Sequence, residues 1–139
     1  MKKRVTAIGG IFFKCDDPKA QREWYANHLG LKTDDYGTTF EWRKSDAPEE
    51  KGYSVWSTFK NDTDYFAPST KEFMINFRVE NLVELLAVLK KEGVVQVGEI
   101  QEFEYGKFAH IMDPEGNKIE LWEAFDGEYG KMVGDVVTK

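Results

Sequence analysis

The chain has 139 residues, enough for one compact unit or for two small modules sharing a core. With 41% hydrophobic and 32% charged residues it reads as globular rather than disordered, and at a formal charge of −6 its scattered Lys and Arg lack the basic stripe of a nucleic-acid binder. No apolar run approaches the ~20 residues of a membrane span. The single cysteine, Cys15, excludes an internal disulfide and points to the cytoplasm, while the basic start Met1-Lys2-Lys3-Arg4 leads into Thr6 and two glycines rather than a signal peptide.

In chain order, an extended run from Val5 to Cys15 precedes a helix. Asp17 offers an N-cap acceptor, Pro18 fits the first helical position, and Leu29-Gly30 closes the helix. Ala20, Trp24, Tyr25 and Leu29 share one side at helical spacing, and His28 suits the helix C-terminus. Cys15 falls on the helix-facing side as a small buried hydrophobe. Extended pieces follow around Tyr36-Gly37-Thr38-Thr39-Phe40 and Tyr53-Ser54-Val55-Trp56, with a solvated acidic turn from Asp46 to Lys51 between them.

Residues 61–72, rich in turn formers, read as a linker. A second extended run, Phe73 to Val79, leads to a helix opening at Asn81 with Glu84 as its capping-box partner. Leu82, Leu85, Leu86 and Leu89 form its stripe, and Gly93 its left-handed end. Then Tyr105 to Glu123 reads as a hairpin around Asp113-Pro114-Glu115-Gly116-Asn117. Residues 125–139 read as a flexible tail, or as an arm over a cavity or a neighbouring subunit.

The two halves repeat each other. The helix starts are offset by 81 − 17 = 64, their glycines by 93 − 30 = 63, and Trp56 and Trp122 by 122 − 56 = 66. Each half therefore reads β-α-β-β-β: 5–60 and 73–124 as two modules of a single domain, 1–139. Alternation sends Val5, Ala7, Ile11 and Phe13, and likewise Phe73, Ile75, Phe77 and Val79, toward the helices. The opposite, concave face then holds Phe12, Phe40, Trp42, Ser54, Trp56, Thr58, Met74, Asn76, Phe108, His110, Glu120 and Trp122. Many rings and few charges suit a ligand-pocket lining.

Asp16-Asp17-Pro18, Trp24-Tyr25, Leu29-Gly30-Leu31, and above all Asp113-Pro114-Glu115-Gly116-Asn117 followed by Ile119-Glu120-Leu121, carry a resemblance over about residues 5–124. The chain resembles the vicinal oxygen chelate superfamily, the glyoxalase, bleomycin-resistance and extradiol-dioxygenase group. The resemblance implies an α+β fold in which two βαβββ modules with curved mixed sheets enclose a shared cavity, and it implies a homodimer whose modules pair within or across chains. Enzymes of the superfamily hold a divalent metal with His or Glu from the first, fourth, fifth and eighth strands. Those positions correspond here to Gly10, to Ser54 (or Val55 or Trp56), to Met74 and to Glu120. A catalytic divalent site takes about three protein ligands. Only Glu120 qualifies, and His110 beside it makes two, so no metal or other cofactor is expected.

Glu120 reads as a general base, as the charge partner of a cationic ligand, or as a hydrogen-bonded remnant. His110 reads as a proton shuttle or as a bonded filler. Phe12, Phe40, Trp42, Trp56, Phe108 and Trp122 are candidates for stacking a ligand, and Asn76 for orienting it. Three functions follow: a metal-independent protein binding a small aromatic or hydrophobic molecule, a superfamily enzyme acting on a small carbonyl or aromatic substrate through Glu120, or a structural protein with a filled cup.

Overall fold

The computed structural model describes residues 3–139. Two antiparallel strands, β1 (Val5–Cys15) and β4 (Phe73–Val79), form the centre of the sheet. Between them in sequence come α1 (Pro18–Leu29), β2 (Gly37–Lys44) and β3 (Ala47–Lys60). After β4 come α2 (Leu82–Lys91), β5 (Gln96–Phe103), β6 (Gly106–Met112), β7 (Lys118–Ala124), α3 (Asp126–Val133) and β8 (Val137–Thr138). The strands make one mixed, curved and unclosed sheet in the order β5-β6-β7-β4-β1-β3-β2-β8.

That order has a local symmetry about the β1/β4 seam. Each side carries four strands, and the strands next to the seam, β3 beside β1 and β7 beside β4, are both parallel to their neighbour. The second half is β4-α2-β5-β6-β7. In the first half residues 31–36 form no strand, and the outer place beside β2 is taken by β8 from the far end of the chain. Residues 126–139 thus form a helix and an edge strand.

Local chemistry sets the helix ends. The Asp17 carboxylate accepts the Ala20 N–H at 3.1 Å, Pro18 opens α1, and Gly30 closes it at φ 72°. The helix α2 starts differently from the expected capping box, because the Asn81 side chain makes no cap bond. Glu123 of β7 instead reaches across to accept the Leu82 N–H at 2.9 Å, so a neighbouring strand supplies the acceptor that the local sequence does not.

Packing differs between the faces. Behind the sheet, Leu82, Leu85 and Leu86 of α2 meet Val79, Ala109 and Leu121 in the main apolar core. On the inner face Phe12, Phe66 and Met74 form one cluster, and Tyr53, Trp122 and Tyr129 another.

The repeat offset is where the expected face assignment slips. Asn76 pairs with Glu120 across β4 and β7, while Gly10 pairs with both Asn76 and Val55. Val55 is therefore the counterpart of Glu120, an offset of 120 − 55 = 65 rather than 66. A slip of one residue exchanges the faces of a strand. Hence Trp56 packs on Tyr25 of α1 with ring centres 4.5 Å apart, and Thr58 accepts a bond from Arg22 of α1 at 3.3 Å. Phe40, the cross-strand partner of Ser54, is likewise not part of the cavity wall. A register shift in β1 between Ile8 and Gly10 brings Gly9 onto the cavity wall.

Candidate functional site

The inner face encloses a cavity of about 390 Å³. Its sheet wall is made by Phe12 from β1, Thr39 from β2, Val55 from β3, Asn76 from β4, Phe108 from β6, and Glu120 and Trp122 from β7. Tyr129, Met132 and Val133 of α3 close it from above, and Asp34 and Tyr36 belong to the loop at its rim. Phe108 and Trp122 stack nearly parallel, with centres 5.6 Å apart and planes inclined by 10°. Tyr129 meets Trp122 edge-on at 5.1 Å and shares a 2.7 Å hydroxyl bond with Thr39.

The roof is tied to the sheet by charge. Asp126, the first residue of α3, makes a two-pronged pair with Arg78 of β4 at 2.7 and 2.9 Å. The guanidinium also donates to the Tyr53 carbonyl at 3.2 Å and lies over the rings of Trp42 and Trp122. Trp42 thus supports Arg78 rather than lining the cavity.

Glu120 sits at the floor, 2% exposed. A buried carboxylate needs donors, and three converge on it. The Asn76 amide donates to Oε1 at 2.7 Å, and Oε2 receives the Tyr65 hydroxyl together with His110 Nε2, the latter at 2.8 Å. Burial, and then the charge of Glu120, hold the Tyr65 phenol well above its ordinary pKa, so it stays a donor. Tyr105 is raised for the same two reasons and Tyr129 mainly by burial. The Lys118 ammonium donates to the Tyr65 carbonyl at 2.7 Å, and burial lowers its pKa.

Of the residues singled out in the sequence, Phe12, Asn76, Phe108, Glu120 and Trp122 meet around one cavity. His110 does not line it: it lies behind Glu120, edge-on to Tyr65 at 5.5 Å. Phe40, Trp42 and Trp56 are not part of the cavity wall. Met74 is buried against Phe12 and Phe66, and Asn76 occupies the position beside Glu120.

Sequence reasoning passed over Tyr65, Tyr105, Tyr129 and Gly9. Tyr65 belongs to the segment read as a linker, and nothing in its turn-rich neighbourhood marks a ring that folds back onto a strand. Tyr129 had a readable signal. Phe125, Tyr129, Met132 and Val133 recur at helical spacing, which marks one apolar helix face.

The positions that carry metal ligands in related enzymes can be followed across the sheet. The pairing sets Val55, Gly10, Asn76 and Glu120 in one row, so Asn76 rather than Met74 stands beside Glu120. Among the described residues no group of three or more His, Cys, Asp or Glu could hold a metal ion.

A curved mixed sheet with paired half-units around a cavity, and a carboxylate on its last long strand, is the fold of the vicinal oxygen chelate superfamily. The chain belongs to the glyoxalase-like domain family, whose model matches residues 10–122. No curated protein matches it in sequence. Solved structures share the fold at low identity. Methylmalonyl-CoA epimerase from Streptomyces coelicolor, in complex with 2-nitronate-propionyl-CoA, is similar at 17% identity and TM-score 0.65, over 87% of this chain and 99% of that one. The Mycobacterium tuberculosis epimerase is similar at 19% and 0.55, over 89% and 91%. A Legionella pneumophila structure described as an NAD-dependent benzaldehyde dehydrogenase is similar at 12% and 0.53, over 83% and 97%. At such identities the likeness concerns the fold alone. Among the described residues no helix is long and apolar enough to cross a membrane.

Proposed function

We infer that this protein binds a small aromatic or hydrophobic molecule in the cup without a divalent metal. The observation that carries the reading is an open cavity walled by Phe12, Phe108, Trp122 and Tyr129 with one buried carboxylate at its floor. That space supports this reading over a filled cup. The donor set does not fit a catalytic metal, since Gly10 and Val55 in the same row offer no side-chain ligand atom, and Glu120, which already accepts three hydrogen bonds, with the neutral Asn76 amide falls short of three ligands of the His, Asp or Glu type. Flat rings supply stacking area, and the tied roof removes the ligand from water.

An enzyme reading rests on one lone-pair position left on Glu120 Oε1, where a general base would take a proton. Turnover of a small carbonyl C–H acid by the wild type but not by Glu120→Gln would move the protein to that class.

A homodimer is part of the proposal, supported by the apolar side chains left exposed along the central strands, Ile8, Ile11 and Phe73. So is the cytoplasm, which suits a chain with a single free cysteine.

The test is to purify the protein without chelator, measure bound metal, and screen small aromatic ligands by tryptophan-fluorescence quenching and thermal shift. The expected result is no stoichiometric metal and a ligand response lost in Trp122→Ala. Stoichiometric Zn, Ni or Mn, or a screen without any response, overturns the reading.

A further inference from the structure

The floor of the cavity presents two hydrogen-bond acceptors on neighbouring side chains. Two carboxylate oxygens offer about four lone-pair positions. Tyr65 and His110 fill those of Glu120 Oε2, and Asn76 fills one on Oε1, which leaves one on Oε1. The Asn76 amide has no freedom to flip, because its NH2 must face the carboxylate. Its carbonyl Oδ1 is thereby turned to the opposite side, toward the bare backbone of Gly9 on the cavity wall. A Cβ at position 9 would fall on this oxygen. Asn76 is 1% exposed, and Oδ1 is buried without any hydrogen-bond partner. A buried carbonyl left unpaired is unfavourable, and a ligand donor would remove that cost.

Charge adds to this. Among the described residues no Lys or Arg lines the cavity, and the two charged ones that do are both acidic, Asp34 at the rim and Glu120 at the floor. An anionic ligand would meet the carboxylates with no counter-charge. A cation would meet them inside an aromatic wall of Phe12, Phe108, Trp122 and Tyr129.

The geometry points to a ligand that is a hydrogen-bond donor: an aromatic molecule carrying an amine or amidine nitrogen, its N–H groups directed at Glu120 Oε1 and Asn76 Oδ1. The proposal rests on the reading of the cup as a binding site and narrows its occupant from any small aromatic to nitrogen donors. Aromatic acids are excluded.

The test uses three probes with one ring in common, titrated into the whole chain near pH 7 by tryptophan fluorescence and calorimetry. These are benzamidine, a cation with paired N–H donors, acetophenone, which has no donor, and benzoate, an anion. Benzamidine is expected to bind at least ~10-fold more tightly than acetophenone, as a hydrogen bond to a charged group implies, and benzoate more weakly than either. In Glu120→Gln, which keeps the shape of the side chain, the benzamidine-to-acetophenone ratio is expected to fall about 10-fold. Equal or tighter binding of acetophenone or benzoate, or an unchanged ratio in Glu120→Gln, overturns the donor proposal and leaves the cup reading intact. Failure of all three probes to bind overturns the cup reading and the proposal with it.

Discussion

The two halves of the molecule have the same plan but divide the work unequally. In the second half α2 buries Leu82, Leu85 and Leu86 against the sheet, and β7 supplies both Glu120 and Trp122. In the first half α1 has no buried residue and leaves Trp24 and Leu29 largely exposed. What the first half contributes to the site is mostly small or apolar: Gly9, Phe12, Thr39 and Val55. A duplicated architecture thus separates a half that anchors the fold and holds the polar chemistry from a half that shapes the wall. Nothing in the common plan enforces that split. It follows from which side chains each copy retains.

Arg78 joins the halves, and its removal is the most severe test of the comparison. It reaches from β4 to the Tyr53 carbonyl of the first half, to Asp126 of the roof, and to one tryptophan from each half. Breaking a buried ion pair from one side costs about 3–5 kcal/mol. Arg78→Met is expected to lose about 4 kcal/mol in urea unfolding, with ligand binding weakened as the roof detaches. A loss below about 1 kcal/mol would mean that the halves hold together without it.

The inequality of the helices is measured next. Leu85→Ala removes a fully packed side chain of α2 and is expected to cost about 3 kcal/mol, whereas Leu29→Ala on exposed α1 should stay within about 0.5 kcal/mol. Comparable losses at the two positions would show that α1 is as firmly seated as α2.

The smallest effect concerns the contact between the inter-module segment and the floor. A tyrosine free in the unfolded chain titrates near pH 10, while Tyr65 in the fold holds its proton to higher pH. Its contribution to stability is thus complete below about pH 10 and is lost as pH rises above that, at up to about 1.4 kcal/mol per unit. Tyr65→Phe should be about 1–2 kcal/mol less stable at pH 8, and its decline between pH 10 and 11 should be shallower than that of the wild type. Parallel curves would show that the phenol is not held by Glu120.

Much of this architecture is legible in the sequence, and the reasons are local. Asp17-Pro18 and Gly30 bound α1 because capping is decided by adjacent residues, and the turn after Met112 forms because Asp113 collects the Glu115 and Asn117 N–H groups. Phe12, Asn76, Phe108, Glu120 and Trp122 were readable by alternation along their own strands. Trp56 was not, because its face depends on pairing with β1, and a repeat aligned on tryptophans alone carries a one-residue error. Tyr65 was unreadable for a different reason. Its place against Glu120 is set by a return of the chain over 55 residues, and composition holds no trace of such contacts.

The sheet has two outer strands, and they guard against self-templating in different ways. At one edge the backbone groups of β2 are partly occupied by β8, through the pairs Thr39–Val137 and Phe40–Thr138. At the other, β5 has no covering strand among the described residues and exposes nearly all its side chains. It is broken by a register shift between Val97 and Gln101, with Gly98 in the left-handed region at φ 70° and Glu99 and Glu102 nearby. A bent, charged edge cannot be extended smoothly by another chain. Residues 96–103 are therefore where resistance to amyloid-like stacking is encoded, and a straight, uncharged substitute there would make a concentrated solution of this protein prone to fibrils.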